Sequence, residues 1–254
     1  MEIIINGLKV NYYQSGSGPD LVILHGWGRD TSEWFGVLKA LETKYRVWLI
    51  DLPGFGGSQA PPDTWGIEDY GKLVKDFISQ NKIQNAILIG HSFGGRIAII
   101  LGRHNHHLFT KLILLNSAGI KLRLSFKGKI INTCSKFLKI MPLPCAIRDK
   151  VNAISPALLK RLGVESADYL ALKKVFERIV AQDLTNELKE ISLSTLILWG
   201  ENDRVVPVKY AKMMHNFIPG SALKIIPGAG HLPHLEKPAE FLIAISQFLR
   251  NEPA

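Results

Sequence analysis

The stretch Ala86-Ile87-Leu88-Ile89-Gly90-His91-Ser92-Phe93-Gly94-Gly95-Arg96, continued by Ile97-Ala98-Ile99-Ile100-Leu101, constrains this chain more than any other. An apolar run of strand length breaks on Gly-x-Ser-x-Gly and resumes as an apolar helical segment. A strand reversing abruptly into a helix holds its central residue in strained, often positive-φ backbone, and only small neighbours let the two segments pass so closely. Gly90, Gly94 and Gly95 supply that room. The turn lifts the Ser92 hydroxyl above a sheet and aims the following backbone N–H groups, at a helix N-terminus, toward any anion formed there. A nucleophilic serine is the expectation.

Further strand-length apolar runs occur at Leu21–Leu24, Val47–Ile50, Leu112–Leu115, Leu196–Trp199 and Leu223–Ile226. Most are continuous rather than alternating, as parallel strands buried on both faces require. Helical segments lie between them at Ser32–Thr43, Ile67–Asn81 and Ile97–His104, and Pro238–Arg250 is the last, with proline at its start. Alternating strands and helices predict an α/β fold with a mostly parallel, doubly wound sheet. Met1–Gly7 reads as a first strand, and Leu8–Gln14 as an antiparallel edge strand followed by a Ser15–Pro19 turn.

The rhythm fails between about Ile120 and Ile191, where Pro142, Pro144, Pro156 and helical patterns such as Ser125–Ile140 and Ala167–Gln182 take over. The expected organisation is a core of residues 1–119 and 192–254 interrupted by a helical lid, residues 120–191. An insertion at the carboxyl ends of the strands would cover the place where open α/β sheets bind ligands. Phe126, Ile130, Phe137, Leu138 and Leu158 are its candidate pocket residues.

Bulk properties narrow the function classes. A chain of 254 residues, 46% apolar, can bury one sizeable core. Its net charge of +9 is concentrated, because residues 121–190 carry 14 Lys/Arg against 7 Asp/Glu. No nucleic-acid motif or aromatic-interleaved basic stripe accompanies that charge, so a solvated basic helical face is expected and a nucleic-acid partner is not. A weaker alternative is attraction of anionic substrates. The two cysteines, Cys134 and Cys145, are too few for a disulfide framework and fit a reducing compartment. With no run long enough to span a membrane and no leader pattern at the start, a cytoplasmic, soluble protein is expected.

A serine hydroxyl needs a base to take its proton and a third group to orient that base. Two segments downstream offer them. After Leu196–Trp199 comes Gly200-Glu201-Asn202-Asp203, and after Leu223–Ile226 comes Pro227-Gly228-Ala229-Gly230-His231-Leu232-Pro233-His234. Both groups leave the sheet at the same edge as Ser92. Asp203, with Glu201 and Asp183 as rivals, is the acid candidate; His231, with His234 as rival, is the base candidate.

At these residues the chain resembles the α/β-hydrolase fold family, in particular its lidded serine enzymes. The likeness is carried by His25-Gly26-Trp27-Gly28, Asp51-Leu52-Pro53-Gly54-Phe55-Gly56-Gly57-Ser58, the Ser92 turn, Gly200–Asp203 and Gly230–Pro238, five segments in the family's order. The resemblance implies a sheet of about eight strands. It also implies Ser92 as nucleophile, His231 as general base and then acid, and Asp203 as the carboxylate that fixes the imidazole tautomer. Backbone N–H groups of Trp27 and Phe93 would form the oxyanion hole. His25 and Asp51 would shape loops, and His91, beside the nucleophile, would be structural.

Hydrolysis of a small carboxylic ester through an acyl-enzyme is therefore the leading expectation, with a small-molecule acyl substrate as partner. Carbon–carbon bond hydrolysis of ring-cleavage dienoic acids, or a lidded small-molecule receptor, are the alternatives. Gly54–Gly57 lacks the Lys-Ser/Thr ending of a phosphate loop, and His104, His106 and His107 lack companion ligands, so no organic cofactor and no metal are expected.

Overall fold

The continuous apolar runs form strands covered from both sides. A computed structural model describes residues 1–121 and 167–250. Its strands are β1 (Glu2–Ile5), β2 (Leu8–Ser15), β3 (Asp20–Leu24), β4 (Arg46–Ile50), β5 (Ala86–His91), β6 (Phe109–Leu115), β7 (Ser194–Gly200) and β8 (Ala222–Ile226). They make one eight-stranded sheet in the order β1-β2-β4-β3-β5-β6-β7-β8. All pairings from β4 to β8 are parallel; β1 with β2 and β2 with β4 are antiparallel.

Eight α-helices are described: α1 (Phe35–Leu41), α2 (Ile67–Gln80), α3 (Phe93–His104), α4 (Ala167–Ala181), α5 (Thr185–Lys189), α6 (Lys209–Phe217), α7 (Pro233–Glu236) and α8 (Pro238–Arg250). Alternation along each strand feeds two cores. Leu21 and Ile23 of β3 and Ile87 and Ile89 of β5 join α1 and α8 through Leu41, Phe241 and Ile245. Val22, Leu24 and Leu88 join α2, α3 and α6 through Phe77, Leu101 and Met214. Each fully buried Leu or Ile contributes about 1.5–3 kcal/mol. Neither face of these strands can therefore be polar, which is why the pattern is continuous.

Leu8–Gln14 is correctly an antiparallel strand but does not lie at the edge. β1 covers its outer side, with Ile3 opposite Val10, while Tyr12 lies opposite Ile50 of β4. Burial of Ile5 and Val10 explains why the expected first strand packs outside β2. The Ser15–Pro19 turn likewise joins no neighbours, since β4 lies between β2 and β3. Gly18, at φ +111°, lets this crossing pass the carbonyl of Lys44, which a Cβ would approach to 2.6 Å.

The expected Ser32–Thr43 helix is a 3₁₀ turn, Thr31–Trp34, capped by the Asp30 carboxylate at 2.8 Å from the Ser32 N–H, and then α1. α3 starts four residues before its apolar pattern, at Phe93. The short α5, α6 and α7 were not expected, while α4 matches Ala167–Gln182 to one residue. Ser125–Ile140, both cysteines and the five candidate pocket residues lie outside the described residues. Among the described residues no helix is long and apolar enough to cross a membrane.

The chain moves from β3 outward to β4, then returns across β3 to β5. Loops after β3 and β5 diverge there, opening a crevice at the strands' carboxyl ends. Its floor depends on Gly90, where a Cβ would stand 2.5 Å from the Gly94 carbonyl oxygen and 2.7 Å from Ala98 Cβ. We expect Gly90→Ala to destabilise the protein by about 1–3 kcal/mol, the usual cost of overpacking; urea unfolding midpoints with an unchanged slope measure it.

Candidate active site

Ser92 is the first residue after β5 and the last before α3, with φ 51° and ψ −107°. Neighbouring chain holds it there. Its N–H donates to Leu115 O (3.0 Å), and its carbonyl accepts from Gly95 N–H (3.1 Å) and Ala118 N–H (3.0 Å). A Cβ on Gly94 would run into the Leu24 carbonyl of β3, and one on Gly95 into Ser117, so both positions exclude larger residues.

His231 follows β8, and its Nε2 lies 3.1 Å from Ser92 Oγ. Its Nδ1 lies 2.8 Å from Asp203 Oδ2. A carboxylate only accepts, so Nδ1 carries the hydrogen and Nε2 is left to accept from the serine hydroxyl. Asp203, in the loop after β7, is itself fixed. Its Oδ1 accepts from Val205 N–H (2.7 Å) and Val206 N–H (2.9 Å), and Oδ2 also accepts from Asn116 Nδ2 (2.6 Å).

Asn116 was not singled out in the sequence. It follows β6 at φ 42°, a left-handed backbone that asparagine tolerates better than most residues. Its amide also donates to Gly230 O (3.2 Å) and its Oδ1 accepts from Gly200 N–H (3.2 Å), which ties together the turns carrying the acid and the histidine. The only available signal was an asparagine directly after an apolar strand, too common to be read alone.

The rival acids are occupied elsewhere. Glu201 accepts from Gly228 N–H (3.0 Å), and Asp183 accepts from Thr185 N–H (3.0 Å) at the start of α5. His234, the rival base, is buried and stacks on Trp34 with ring centroids 4.1 Å apart. His25 accepts the Leu52 N–H at Nε2 (2.9 Å), and Asp51 accepts from Thr31 N–H (2.8 Å) and Gly57 N–H (2.9 Å). Both shape loops.

Trp27 and Phe93 are brought together, their rings 5.1 Å apart, and Gly94 N–H donates to His25 O (3.1 Å), clamping the β3 loop to the start of α3. Phe55 and Phe176 of α4 pack on Trp27 at 4.9 and 5.0 Å. The crevice thus has an aromatic wall.

Residues 21–244 match the family model described as the alpha/beta hydrolase family. The chain belongs to that family. Among curated relatives, the pimeloyl-[acyl-carrier protein] methyl ester esterase of Aeromonas hydrophila is 28% identical, over 95% of this chain and all of that one. The uncharacterized hydrolase YugF of Bacillus subtilis is 29% identical, over 97% of this chain and 96% of its own. Among solved structures, the esterase EaEST of Exiguobacterium antarcticum superposes with TM-score 0.81 at 25% identity, covering 99% of each chain. This α/β hydrolase is accordingly an enzyme of hydrolysis with esterase relatives.

Burial keeps several histidines of this hydrolase neutral. It pushes the His234 imidazole down to about 3 and that of His91 well below its ordinary range, with nearby His231 a lesser influence on both. Below pH 6.5, the ordinary histidine value, the unfolded chain binds protons that these folded residues do not. Stability therefore falls as pH drops from 6.5 toward the depressed values. Replacing His234 by Phe, which keeps the stack on Trp34, should flatten that slope by up to one proton, roughly 1.4 kcal/mol per pH unit; chemical denaturation from pH 7 to 4.5 checks it.

Proposed function

We propose that this α/β hydrolase is a serine carboxylesterase in which Ser92 attacks the carbonyl carbon of a small ester. The hydrogen-bonded chain from Ser92 Oγ through His231 to Asp203 carries the reading. As Oγ bonds to the carbonyl carbon, its proton passes to His231 Nε2, and Asp203 steadies the imidazolium through Nδ1–H. Backbone N–H groups of Phe93 and Trp27 stabilise the oxyanion; the first stands at the N-terminus of α3, the second in the loop clamped against it.

Collapse of the tetrahedral intermediate returns the His231 proton to the leaving alcohol and leaves an acyl-enzyme. Water then attacks with the same imidazole as base, releasing the acid and restoring Ser92. Side chains supply the nucleophile and base, and backbone N–H groups stabilise the oxyanion, so the route asks for no metal or organic cofactor. The aromatic wall of Trp27, Phe55, Phe93 and Phe176 suits an apolar acyl group. The methyl ester esterase named above supports an ester rather than a carbon–carbon substrate.

The domain division extends this reading: residues 1–119 and 192–254 form the core, and 120–191 its cover. In support, α4 places Phe176 against Trp27 and seats Lys174 on Asp63 at 2.6 Å, on the loop between β4 and α2.

Short p-nitrophenyl esters are the direct test. We expect turnover and fluorophosphonate labelling, both lost in Ser92→Ala, and a fall in kcat on the order of 10³- to 10⁴-fold in Asp203→Asn. A folded Ser92→Ala protein that retained wild-type turnover would overturn the assignment. Labelling without ester turnover, alongside cleavage of a dienoic acid, would replace the ester by a carbon–carbon substrate.

A further inference from the structure

Behind His231 lies a second set of polar groups that the proposed chemistry does not use. Glu33, on the 3₁₀ turn, has its side chain 5% exposed, and no hydrogen bond of good geometry reaches either carboxyl oxygen, although the Gly26 N–H and the Trp34 indole stand near. His91 on β5 and His234 on α7 face it, with His91 Nδ1 3.7 Å and His234 Nε2 3.9 Å from Glu33 Oε1. The far side of His91 is engaged. Its Nε2 lies 2.9 Å from the main-chain oxygen of His231, and the two rings are 4.9 Å apart.

Donor and acceptor chemistry sets the protons. A carbonyl oxygen only accepts, so His91 Nε2 must carry a hydrogen; a neutral His91 then has a bare Nδ1 that needs a donor. Glu33 can be that donor only as an acid. An ionised carboxylate would instead place a charge in a site closed to water with only long contacts to meet it, Arg29 at 3.8 Å among them, an arrangement that burial makes costly. We propose that Glu33 is a buried, protonated positioning residue for the active-site histidine: its acid O–H serves His91 Nδ1, and His91 Nε2–H holds the His231 carbonyl. The 3.7 Å gap is one that a small closure of the two side chains spans.

The groups around Glu33 agree. Arg29, in the loop after β3, lies 3.8 Å from Oε2 and favours the anion, as do the Gly26 N–H and the Trp34 indole; Asp30 on the same loop opposes it. Burial outweighs the groups that favour the anion and lifts the Glu33 carboxyl to about 8. From β5 and α7, His91 and His234 are held neutral by burial, and His231 stands beyond them. Glu33 thus binds a proton in the folded state that the unfolded chain has released above 4.5, and loses it as pH rises through 8. Above that value the relay loses its donor.

This inference rests on His231 being the base, so the first measurement does not use activity. Isotope-edited infrared spectra of wild-type protein and Glu33→Gln at pH 6.5 should differ by a carboxylic-acid C=O band that fades as pH passes about 8. Only carboxylate bands at pH 6.5 would overturn the proposal. Nitrogen NMR adds a second signature, a His91 ring with hydrogen on Nε2 whose shifts stay constant from pH 7 to 5; a titrating His91 would equally overturn it. In ester hydrolysis, Glu33→Ala should lower kcat roughly ten- to a hundredfold with KM little changed. Glu33→Gln, whose amide N–H can replace the acid O–H, should recover most of that loss and remove the alkaline decline. Equal losses in both variants would assign Glu33 a packing role only. Absence of esterase activity in wild-type protein, with the infrared band present, would sink the catalytic reading and leave the protonated relay standing.

Discussion

The close passage of β3, β5, β6 and α3 around Ser92 is the constraint on which the rest depends. A positive-φ serine costs of order 1–3 kcal/mol. Leu115, Gly95 and Ala118 bind both of its backbone polar groups, so the strand next door maintains the strain that its own segment would release. Small residues are obligatory because the partners are backbone: Gly90 approaches the Gly94 carbonyl, and Gly94 approaches Leu24. No side-chain rearrangement can make room. The Ser92 hydroxyl is consequently fixed by main chain rather than by its own rotamer preferences, the form of preorganisation least disturbed by a bound substrate.

Asp203 shows the same logic in its electrostatics. A fully buried carboxylate is expensive unless its lone pairs are met. Here Oδ1 receives two backbone N–H groups, and Oδ2 receives Asn116 and the His231 ring. The two N–H donors belong to the turn that carries Asp203, so the charge is stabilised locally before the histidine arrives. Asn116 connects that turn to Gly200 and Gly230, making the separation of the β7 and β8 loops a property of the sheet. One asparagine after β6 therefore positions the loops that carry both Asp203 and His231.

How much of this was legible follows from whether each signal is local. Parallel strands declare themselves through continuous apolar runs, and the Ser92 turn through glycines whose reason lies within five residues. Asp203 and His231 could be proposed because each follows a readable strand. The position of β2 inside β1 could not, since it depends on burial of Ile5 and Val10 against distant helices. Asn116 and Glu33 were invisible for a related reason. Their partners lie 87 residues away for Asn116 to Asp203, and on β5 and α7 for Glu33, so no spacing along the chain records the contact.

The two layers of histidine chemistry also explain one another. In the proposed mechanism His231 gains and loses a proton during turnover, and any fixed charge nearby would bias that change. At an effective dielectric of about 20, a unit charge on the His91 ring, 4.9 Å from that of His231, would act with roughly 3 kcal/mol. Such a field would hold His231 in its neutral form and oppose the imidazolium that the proposed ester cleavage requires. A neutral His91 avoids this. It supplies a hydrogen bond to the His231 backbone at nearly no electrostatic cost to the ring, but neutrality leaves its inner nitrogen wanting a donor. A protonated carboxyl meets that demand and also carries no charge. Lysine or arginine could donate there, yet either would add a second permanent cation beside Arg29. An aspartate at position 33 has the right chemistry, but its side chain is one methylene shorter and would widen a gap that already stands at 3.7 Å. The buried glutamic acid is thus the group that combines reach, donor capacity and electrical silence beneath a working imidazole.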